Sequence, residues 1–189
     1  MQLSFLGGPR VLVDDASGRL VYFPDCIGPE LAREWFEELR ATIPWRAQRR
    51  MMYEREVDVP RLVASYRLDD PALPPVLAEA ARIAGPLAGT AFNAAGLNLY
   101  RDGRDSVAPH NDHTDEIVPG HPIALLSLGA TRRMTIRSKL RPRRTFDLDL
   151  EPGSLFVMSY QTQGTYDHAI PKTREPVGER ISVALRVRR

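Results

Sequence analysis

The chain has 189 residues, of which 43% are hydrophobic and 26% are charged, and its formal net charge is +2 at pH 7. This length suits one well-buried core and is short for two ordinary domains, so we expect a single domain over residues 1–189. No apolar run approaches the ~20 residues that a membrane span needs. The small net charge does not by itself indicate a nucleic-acid partner.

The N-terminus and the cysteine content suggest a compartment. No basic region precedes the short apolar stretch at the N-terminus, so a secretory signal is not expected. Cys26 is the single cysteine, which excludes an intrachain disulfide and a cysteine-based zinc cluster. We therefore expect a cytoplasmic monomer that does not enter a membrane.

Helical signals lie in the first ninety residues. In the segment 29–42, PELAREWFEELRAT, apolar residues recur at four-residue steps behind a helix-starting proline: Leu31, Trp35, Leu39 and Ile43. A second helix is predicted from Pro74 or Pro75 to Ala84. Residues 1–90 are therefore predicted to form a helical buttress.

The pattern changes to short strands beyond residue 90. Alternating or β-branched runs occur at 96–101, 123–128, 134–137, 145–150, 154–159 and 181–187. Turn signals such as Asp102-Gly103, Pro119-Gly120 and Pro152-Gly153 separate several of these runs. The predicted fold is α+β and mainly β, with a double-stranded β-helix (jelly roll) over residues 91–189 that N-terminal helices buttress.

Histidine is scarce enough to limit the possible metal sites. The four are His110, His113, His121 and His168. Two consecutive His-x-Asp triplets, His110 to Asp112 and His113 to Asp115, could each present an imidazole and a carboxylate on one face of a strand. With His168, either triplet completes a two-histidine, one-carboxylate site that leaves one face of the metal open. His-x-Asp alone is a weak signal, because surface loops also contain these residues.

Two arginines near the C-terminus suggest an anion site. Arg180 and Arg186 are six residues apart, so a strand would place both on one face and Ile181, Val183 and Leu185 on the other. Inward-facing guanidinium groups are costly unless an anion binds them, and a dicarboxylate would satisfy both. The alternative is a solvated edge strand with basic residues.

Several motifs, taken in order, resemble the AlkB family of nucleic-acid dealkylases over roughly residues 59–186. Asn98-Leu99-Tyr100 is similar to the family's Asn-x-Tyr strand, and His110-Asn111-Asp112 to its metal-binding His-x-Asp. His168 resembles the second metal histidine, and Arg180 and Arg186 match the arginines of the family's C-terminal motif. Where the family has Asn and Thr between these arginines, this chain has Ser182 and Ala184, which removes an amide and a hydroxyl from the pocket.

The resemblance implies a cofactor set and the residues that hold it. It implies Fe(II), with 2-oxoglutarate and O2 as co-substrates, and it favours the triad His110, Asp112 and His168 over the other triplet. The implied 2-oxoglutarate contacts are Asn98, Tyr100, Arg180, Ser182 and Arg186. The protein's part in such chemistry is to orient the reactants and restrict water.

The resemblance also implies a function. It is oxidative demethylation of N-alkylated bases in DNA, of the 1-methyladenine and 3-methylcytosine type, with release of aldehyde, succinate and CO2. The partner would be alkylated DNA, single- or double-stranded, with RNA also possible, and residues 1–90 would contribute a nucleotide-recognition lid. The implied base contacts are Arg61, Tyr66, Asp115 and Glu116. Phosphate contacts are predicted in the basic run: Arg137, Lys139, Arg141, Arg143 and Arg144.

Other interpretations fit the same residues. The oxygenase could act on RNA, a protein or a small molecule. A non-catalytic jelly-roll module could hold a structural metal, which predicts a closed coordination shell and no use for the two arginines. The basic run could be a solvated hairpin, and Tyr66 could be an ordinary buried tyrosine.

Overall fold

The structure, a computed structural model, describes residues 8–52, 55–112 and 114–189, and for residues 48–52 and 55–58 it describes the backbone alone. Its helices are α1 (Pro29–Thr42), α2 (Pro75–Ala88) and the single turn α3 (Thr162–Thr165). Its strands are β1 (Arg10–Asp15), β2 (Gly18–Phe23), β3 (Arg46–Met52), β4 (Arg55–Arg67), β5 (Ala94–Tyr100), β6 (Val107–His110), β7 (Ile123–Gly129), β8 (Arg132–Ser138), β9 (Thr145–Leu150), β10 (Leu155–Met158), β11 (Tyr166–Ile170) and β12 (Arg180–Arg186).

The strands form two sheets that face each other. The larger sheet has eight strands in the order β1-β2-β10-β7-β12-β5-β4-β3, and the smaller has four in the order β6-β11-β8-β9. Most of the described ladders join strands that are not consecutive in the sequence, as in a jelly roll. The fold is therefore mainly β, as the sequence predicted.

Each face of the larger sheet covers a separate hydrophobic cluster. One cluster joins α1 and α2 to the outer face of the sheet, with Trp35, Leu39 and Leu77 buried there. The other fills the space between the two sheets, where Tyr22 and Phe156 are completely buried. Burying one large apolar side chain stabilises the folded state by about 1.5–3 kcal/mol, so these clusters fix the position of the sheets.

Helix α1 begins and ends where the sequence predicts. Gly28 is its N-cap and Pro29 occupies the first turn. The buried stripe runs through Ala32, Trp35 and Leu39, whereas Leu31 is 36% exposed. Leu31 belongs to the apolar pattern in the sequence but lies outside the buried stripe, which Ala32 joins instead.

The first ninety residues contain more sheet than the sequence indicated. Besides the two predicted helices, the described part of this region contributes β1 to β4 to the larger sheet. Helix α2 also runs four residues beyond its predicted end and stops at Gly89, which adopts φ +69° and a left-handed cap. None of the described helices combines the length and apolar character that crossing a membrane requires.

Candidate metal and co-substrate site

A large cavity opens between the two sheets. Its volume is about 1230 Å³, above the range of about 300–1,000 Å³ common for small-molecule sites. Its walls include β4, β5, β6, β11 and β12, and all eight residues that the sequence singled out for metal or 2-oxoglutarate line it. The space is sufficient for a dicarboxylate and part of a second ligand.

The three predicted metal ligands lie together at this cavity. One ligand atom from each of His110, Asp112 and His168 lies within 4.8 Å of the others. Strand pairing accounts for the histidines, since His168 on β11 is directly opposite His110 on β6. Their ring centroids are 4.3 Å apart. The set of two imidazoles and one carboxylate fits a metal such as Fe(II) that keeps open positions for other ligands.

Asp112 does not lie on a strand, contrary to the prediction that the His-x-Asp triplet is extended. Strand β6 ends at His110, so no ladder hydrogen bond holds the backbone of Asp112. Instead, the Asp112 backbone N–H donates to Oε1 of Gln163, 3.0 Å away. A side chain from α3 therefore accepts the backbone hydrogen bond that a neighbouring strand would otherwise accept.

Both histidines are suited to bind a cation in their neutral form. Burial, together with the neighbouring His110, lowers the pKa of His168 to about 4. Burial also lowers the pKa of His110. Nδ1 of His110 lies 3.0 Å from the carbonyl oxygen of Ala108, so a proton on Nδ1 can be donated there while Nε2 keeps its lone pair for a metal.

The Asp112 carboxylate is ionised by a specific partner. Burial raises its pKa, but Arg186, together with the smaller effects of His168 and His110, outweighs burial and holds the pKa below its usual value. Nη2 of Arg186 donates to both carboxylate oxygens, at 3.0 and 2.9 Å. Gly96 leaves room for this guanidinium, because a Cβ there would lie 3.0 Å from Nη1 of Arg186. Arg186, an implied 2-oxoglutarate contact, therefore lies on the metal side of the cavity.

Arg180 is a buried cation that lacks an anion. It is 1% exposed, and its Nη2 donates a hydrogen bond to Ser127 Oγ at 2.9 Å. Nε and Nη1 are buried without a hydrogen-bond partner among the described residues. Burial lowers its pKa, as expected for a cation with no counter-charge beside it. A guanidinium stays charged, and Nε and Nη1 of Arg180 are free to donate hydrogen bonds. This site therefore fits a carboxylate ligand.

The faces of β12 agree with the predicted alternation. Arg180, Ser182 and Arg186 line the cavity, as does Ala184, while the intervening residues pack in the helix-side cluster. Strand β5 adds Asn98 and Tyr100 from the neighbouring ladder. The Tyr100 ring lies 5.3 Å from the Arg180 guanidinium, and burial raises its pKa, so the phenol stays protonated and able to donate.

The predicted base contacts do not all reach the cavity. Arg61 lines it and donates from Nε to Oδ1 of Asn98 at 2.7 Å, which brings Arg61 to the predicted co-substrate side. Tyr66 also lines the cavity and is half-buried. Glu116 lines it as well and pairs with Arg188 at 3.1 Å. Asp115 is exposed and lies outside the lining, and His113 lies outside the described residues.

The basic run divides into paired and unpaired residues. Arg144 is held by Asp15 and Ser17, each at 2.9 Å, and Lys139 contacts Asn111 and Asp167. These two predicted phosphate contacts therefore have partners within the chain. Arg137, Arg141 and Arg143 are exposed, and none of them forms an ion pair with another residue of the described part.

Arg132 also belongs to the interior rather than to the basic surface. It is 3% exposed and donates to the carbonyl oxygens of Asp102, Asp105 and Pro171, at 2.9 to 3.0 Å. Its guanidinium lies 5.5 Å from the Tyr100 ring. Arg132 thus joins the loops behind the co-substrate pocket and is not available to phosphate.

Two residues of the site were not predicted from sequence. Ser127 is the single polar residue within the buried run of β7, a pattern that indicates a buried polar partner, here Arg180. Gln163 carries no comparable signal, because its contact with Asp112 depends on chain pairing across 51 residues.

Comparisons with known proteins show the family. The model of the 2OG-Fe(II) oxygenase superfamily matches residues 19–186. Mouse "DNA oxidative demethylase ALKBH2" (Mus musculus) is 36% identical over 105 residues, 52% of this chain and 44% of that protein. Bovine "Alpha-ketoglutarate-dependent dioxygenase alkB homolog 3" (Bos taurus) is 30% identical over 190 residues, 89% of this chain and 65% of that protein. The chain thus spans less than two thirds of these curated relatives.

A solved structure supports the fold independently. The crystal structure of a Pseudomonas putida prolyl-4-hydroxylase matches with a TM-score of 0.62 and 18% identity, covering 92% of this chain and 95% of that chain. At this identity the match shows a shared fold. The family description names Fe(II) and 2-oxoglutarate, as the sequence predicted, and the His-Asp-His triad fits iron. The chain therefore belongs to the 2OG-Fe(II) oxygenase superfamily and is an AlkB-like member of it.

Proposed function

We propose that this protein is an Fe(II)- and 2-oxoglutarate-dependent dioxygenase that demethylates N-alkylated bases in DNA. The observation that carries the proposal is the joint presence, in one cavity, of an open His-Asp-His triad and the unsatisfied guanidinium of Arg180. A structural metal would explain the triad alone. A structural metal would give no reason to bury the Arg180 guanidinium with two nitrogen atoms unpartnered among the described residues. Burying that charge costs free energy, and an anionic co-substrate would offset this cost.

Each group of residues has a role in this proposal. His110, Asp112 and His168 would hold Fe(II), and Arg180 would pair with the distal carboxylate of 2-oxoglutarate, with Asn98, Tyr100 and Ser182 beside it. Arg186 keeps Asp112 ionised and faces the metal side.

The bound iron, with 2-oxoglutarate and O2, supplies the oxidation of a C–H bond. One oxygen atom enters the N-methyl group and the other enters succinate as CO2 leaves 2-oxoglutarate. The hydroxymethyl group would then leave as formaldehyde: its C–N bond breaks, the electron pair of that bond stays on the ring nitrogen, and the hydroxyl proton is released. The chain contributes binding, orientation and the exclusion of water by the two facing sheets.

A methylated base is the substrate class that the site and the relatives favour together. A base within a duplex cannot reach a site between two sheets, so the enzyme would act on a single strand or on a flipped nucleotide. Tyr66 at the cavity wall can stack on such a base, and Arg61 and Glu116 offer polar contacts to its edge. Asp115 has no part in this proposal, because it lies outside the cavity lining.

Turnover tests the proposal directly. Protein reconstituted anaerobically with Fe(II) is expected to release succinate from 2-oxoglutarate on addition of O2, and to do so faster with an oligonucleotide that contains 1-methyladenine or 3-methylcytosine. Formaldehyde should appear in equal amount to the substrate-dependent succinate. The unmethylated oligonucleotide is the control, and a matched RNA oligomer compares the two nucleic acids.

Each result of this assay distinguishes between alternatives. Stimulation by the methylated oligonucleotide alone supports base demethylation. Succinate release without stimulation keeps the oxygenase and indicates a protein or small-molecule substrate. Folded, iron-loaded protein that releases no succinate in any mixture would contradict the proposal and favour the binding module.

The exposed part of the basic run is expected to contact phosphate. Replacing Arg137, Arg141 and Arg143 together by glutamine should weaken binding of a single-stranded oligonucleotide and reduce the slope of log K against log salt by about 2, since each single-strand phosphate contact contributes about 0.7. Fluorescence anisotropy over a NaCl series measures this. The matched control replaces Arg33, Arg40 and Arg82 of the helix layer by glutamine. If these substitutions weakened binding equally, the net charge of the protein would explain the effect, and the basic run would have no specific role.

A further inference from the structure

We infer that Gln163 is a positioning residue for the proposed metal centre, acting through the backbone of Asp112. This inference rests on the metal site of the proposed function. Gln163 is 3% exposed and belongs to the short helix α3. It is not one of the predicted metal ligands, and it does not line the cavity. Its side chain nevertheless reaches the segment that carries the carboxylate ligand.

The Gln163 side chain is held on both of its polar atoms. Oε1 accepts the Asp112 backbone N–H at 3.0 Å, and Nε2 lies 3.4 Å from Oγ1 of Thr162. Thr162 is itself buried, and its hydroxyl donates to the carbonyl oxygen of Ser159 at 2.6 Å. A buried amide with these partners has one orientation, so the acceptor for Asp112 is fixed in place.

This contact joins the two segments that carry the metal ligands. Helix α3 leads directly into β11, which carries His168, while Asp112 follows the end of β6. The side-chain amide of Asn111, which precedes Asp112, donates to the carbonyl oxygen of Tyr166 on β11. The Gln163 contact therefore holds Asp112 relative to His168 at the point where strand pairing has stopped.

The position of Asp112 needs this support because its carboxylate has a competing partner. Arg186 approaches both carboxylate oxygens from β12, within 3.0 Å. If the backbone at Asp112 could move, the carboxylate could follow Arg186 and leave the ligand set. We expect the loss of Gln163 to weaken metal binding without removing any ligand.

Substitution by methionine removes the acceptor with little change in size. Gln163→Met is expected to raise the Kd for Mn(II), measured anaerobically from the EPR signal of the free ion, by about tenfold, within the range of about 10- to 100-fold for residues that orient metal ligands. The spectrum of bound Mn(II) should also change. Gln163→Glu keeps an acceptor oxygen at the same place and should restore an affinity close to that of the unsubstituted chain.

Gln161→Met is the matched control, because Gln161 lies in the same turn with an exposed side chain. It should leave the Kd for Mn(II) unchanged. Equal affinities of Gln163→Met and Gln161→Met would overturn the inference, provided that the unsubstituted chain binds Mn(II). Failure of the unsubstituted chain to bind Mn(II) would instead count against the metal site and the proposed function.

A measurement on the unsubstituted chain covers the case in which Gln163→Met does not fold. The Asp112 amide, followed by NMR in the metal-free protein, should exchange its hydrogen slowly, because Gln163 holds it in a buried hydrogen bond. Exchange at the rate of an exposed amide would show that the contact does not hold Asp112 and would overturn the inference.

Discussion

Arg180→Met is expected to raise the apparent KM for 2-oxoglutarate by at least about 30-fold, because losing one side of a buried charged pair costs about 2–5 kcal/mol. The same substitution should not destabilise the protein in the absence of 2-oxoglutarate. Arg180 is buried with two N–H groups that no described residue accepts. Replacing a poorly compensated buried charge with an apolar side chain of similar volume is often neutral or stabilising, by about 1–4 kcal/mol.

Two measurements separate these effects. Titration of 2-oxoglutarate in the succinate assay gives KM, and urea unfolding of the co-substrate-free protein gives the free energy of unfolding. Arg33→Met, on the exposed face of α1, is the control and should change neither value. Unchanged KM in Arg180→Met would remove Arg180 from the co-substrate site. A loss of several kcal/mol in stability would mean that the guanidinium is satisfied within the protein.

Local signals in the sequence were sufficient for several elements. Helix α1 could be predicted because Pro29 starts it and an apolar stripe continues for three turns. The two faces of β12 could be predicted because strand alternation depends on spacing alone. The unsatisfied state of Arg180 could not be predicted, since it depends on which neighbours lie around the guanidinium after folding.

Elements whose role depends on distant partners were missed. Strand β6 is four residues long and contains Pro109, and it becomes a strand because β11 pairs with it. Strand β11 likewise lacks a strong pattern of its own. The two histidines meet through this pairing, so residue spacing left two carboxylates open as ligands, and only the family resemblance favoured Asp112.

The long-range contacts of polar side chains were also beyond sequence reasoning. Arg132 precedes the basic run and Arg144 belongs to it, yet Arg132 is buried against three carbonyl oxygens and Arg144 pairs with Asp15. The charge pattern therefore predicted a basic surface, but it did not predict which of the basic residues are exposed there. Gln163 shows the same limit, because an isolated glutamine gives no sign of the backbone that it will hold.

Asp112→Ala is expected to abolish detectable turnover and to destabilise the protein as well. The substitution removes the carboxylate ligand, and it leaves Arg186, whose side chain is 16% exposed, without its partner. Breaking one side of a largely buried ion pair typically costs about 3–5 kcal/mol. Urea unfolding and Mn(II) titration measure the two effects separately. Asp115→Ala, three residues further along and exposed, is the control and should leave metal affinity unchanged.

A second substitution separates the two roles of Asp112. In Asp112→Ala combined with Arg186→Met, no charge remains unpaired, so most of the lost stability should return while metal binding stays absent. Recovery of stability without metal binding would support Asp112 as both a ligand and the partner of Arg186. If Asp112→Ala alone still bound Mn(II) with the affinity of the unsubstituted chain, the ligand would have to be another carboxylate, and Asp115 of the neighbouring triplet would be the first to test, despite its position outside the cavity.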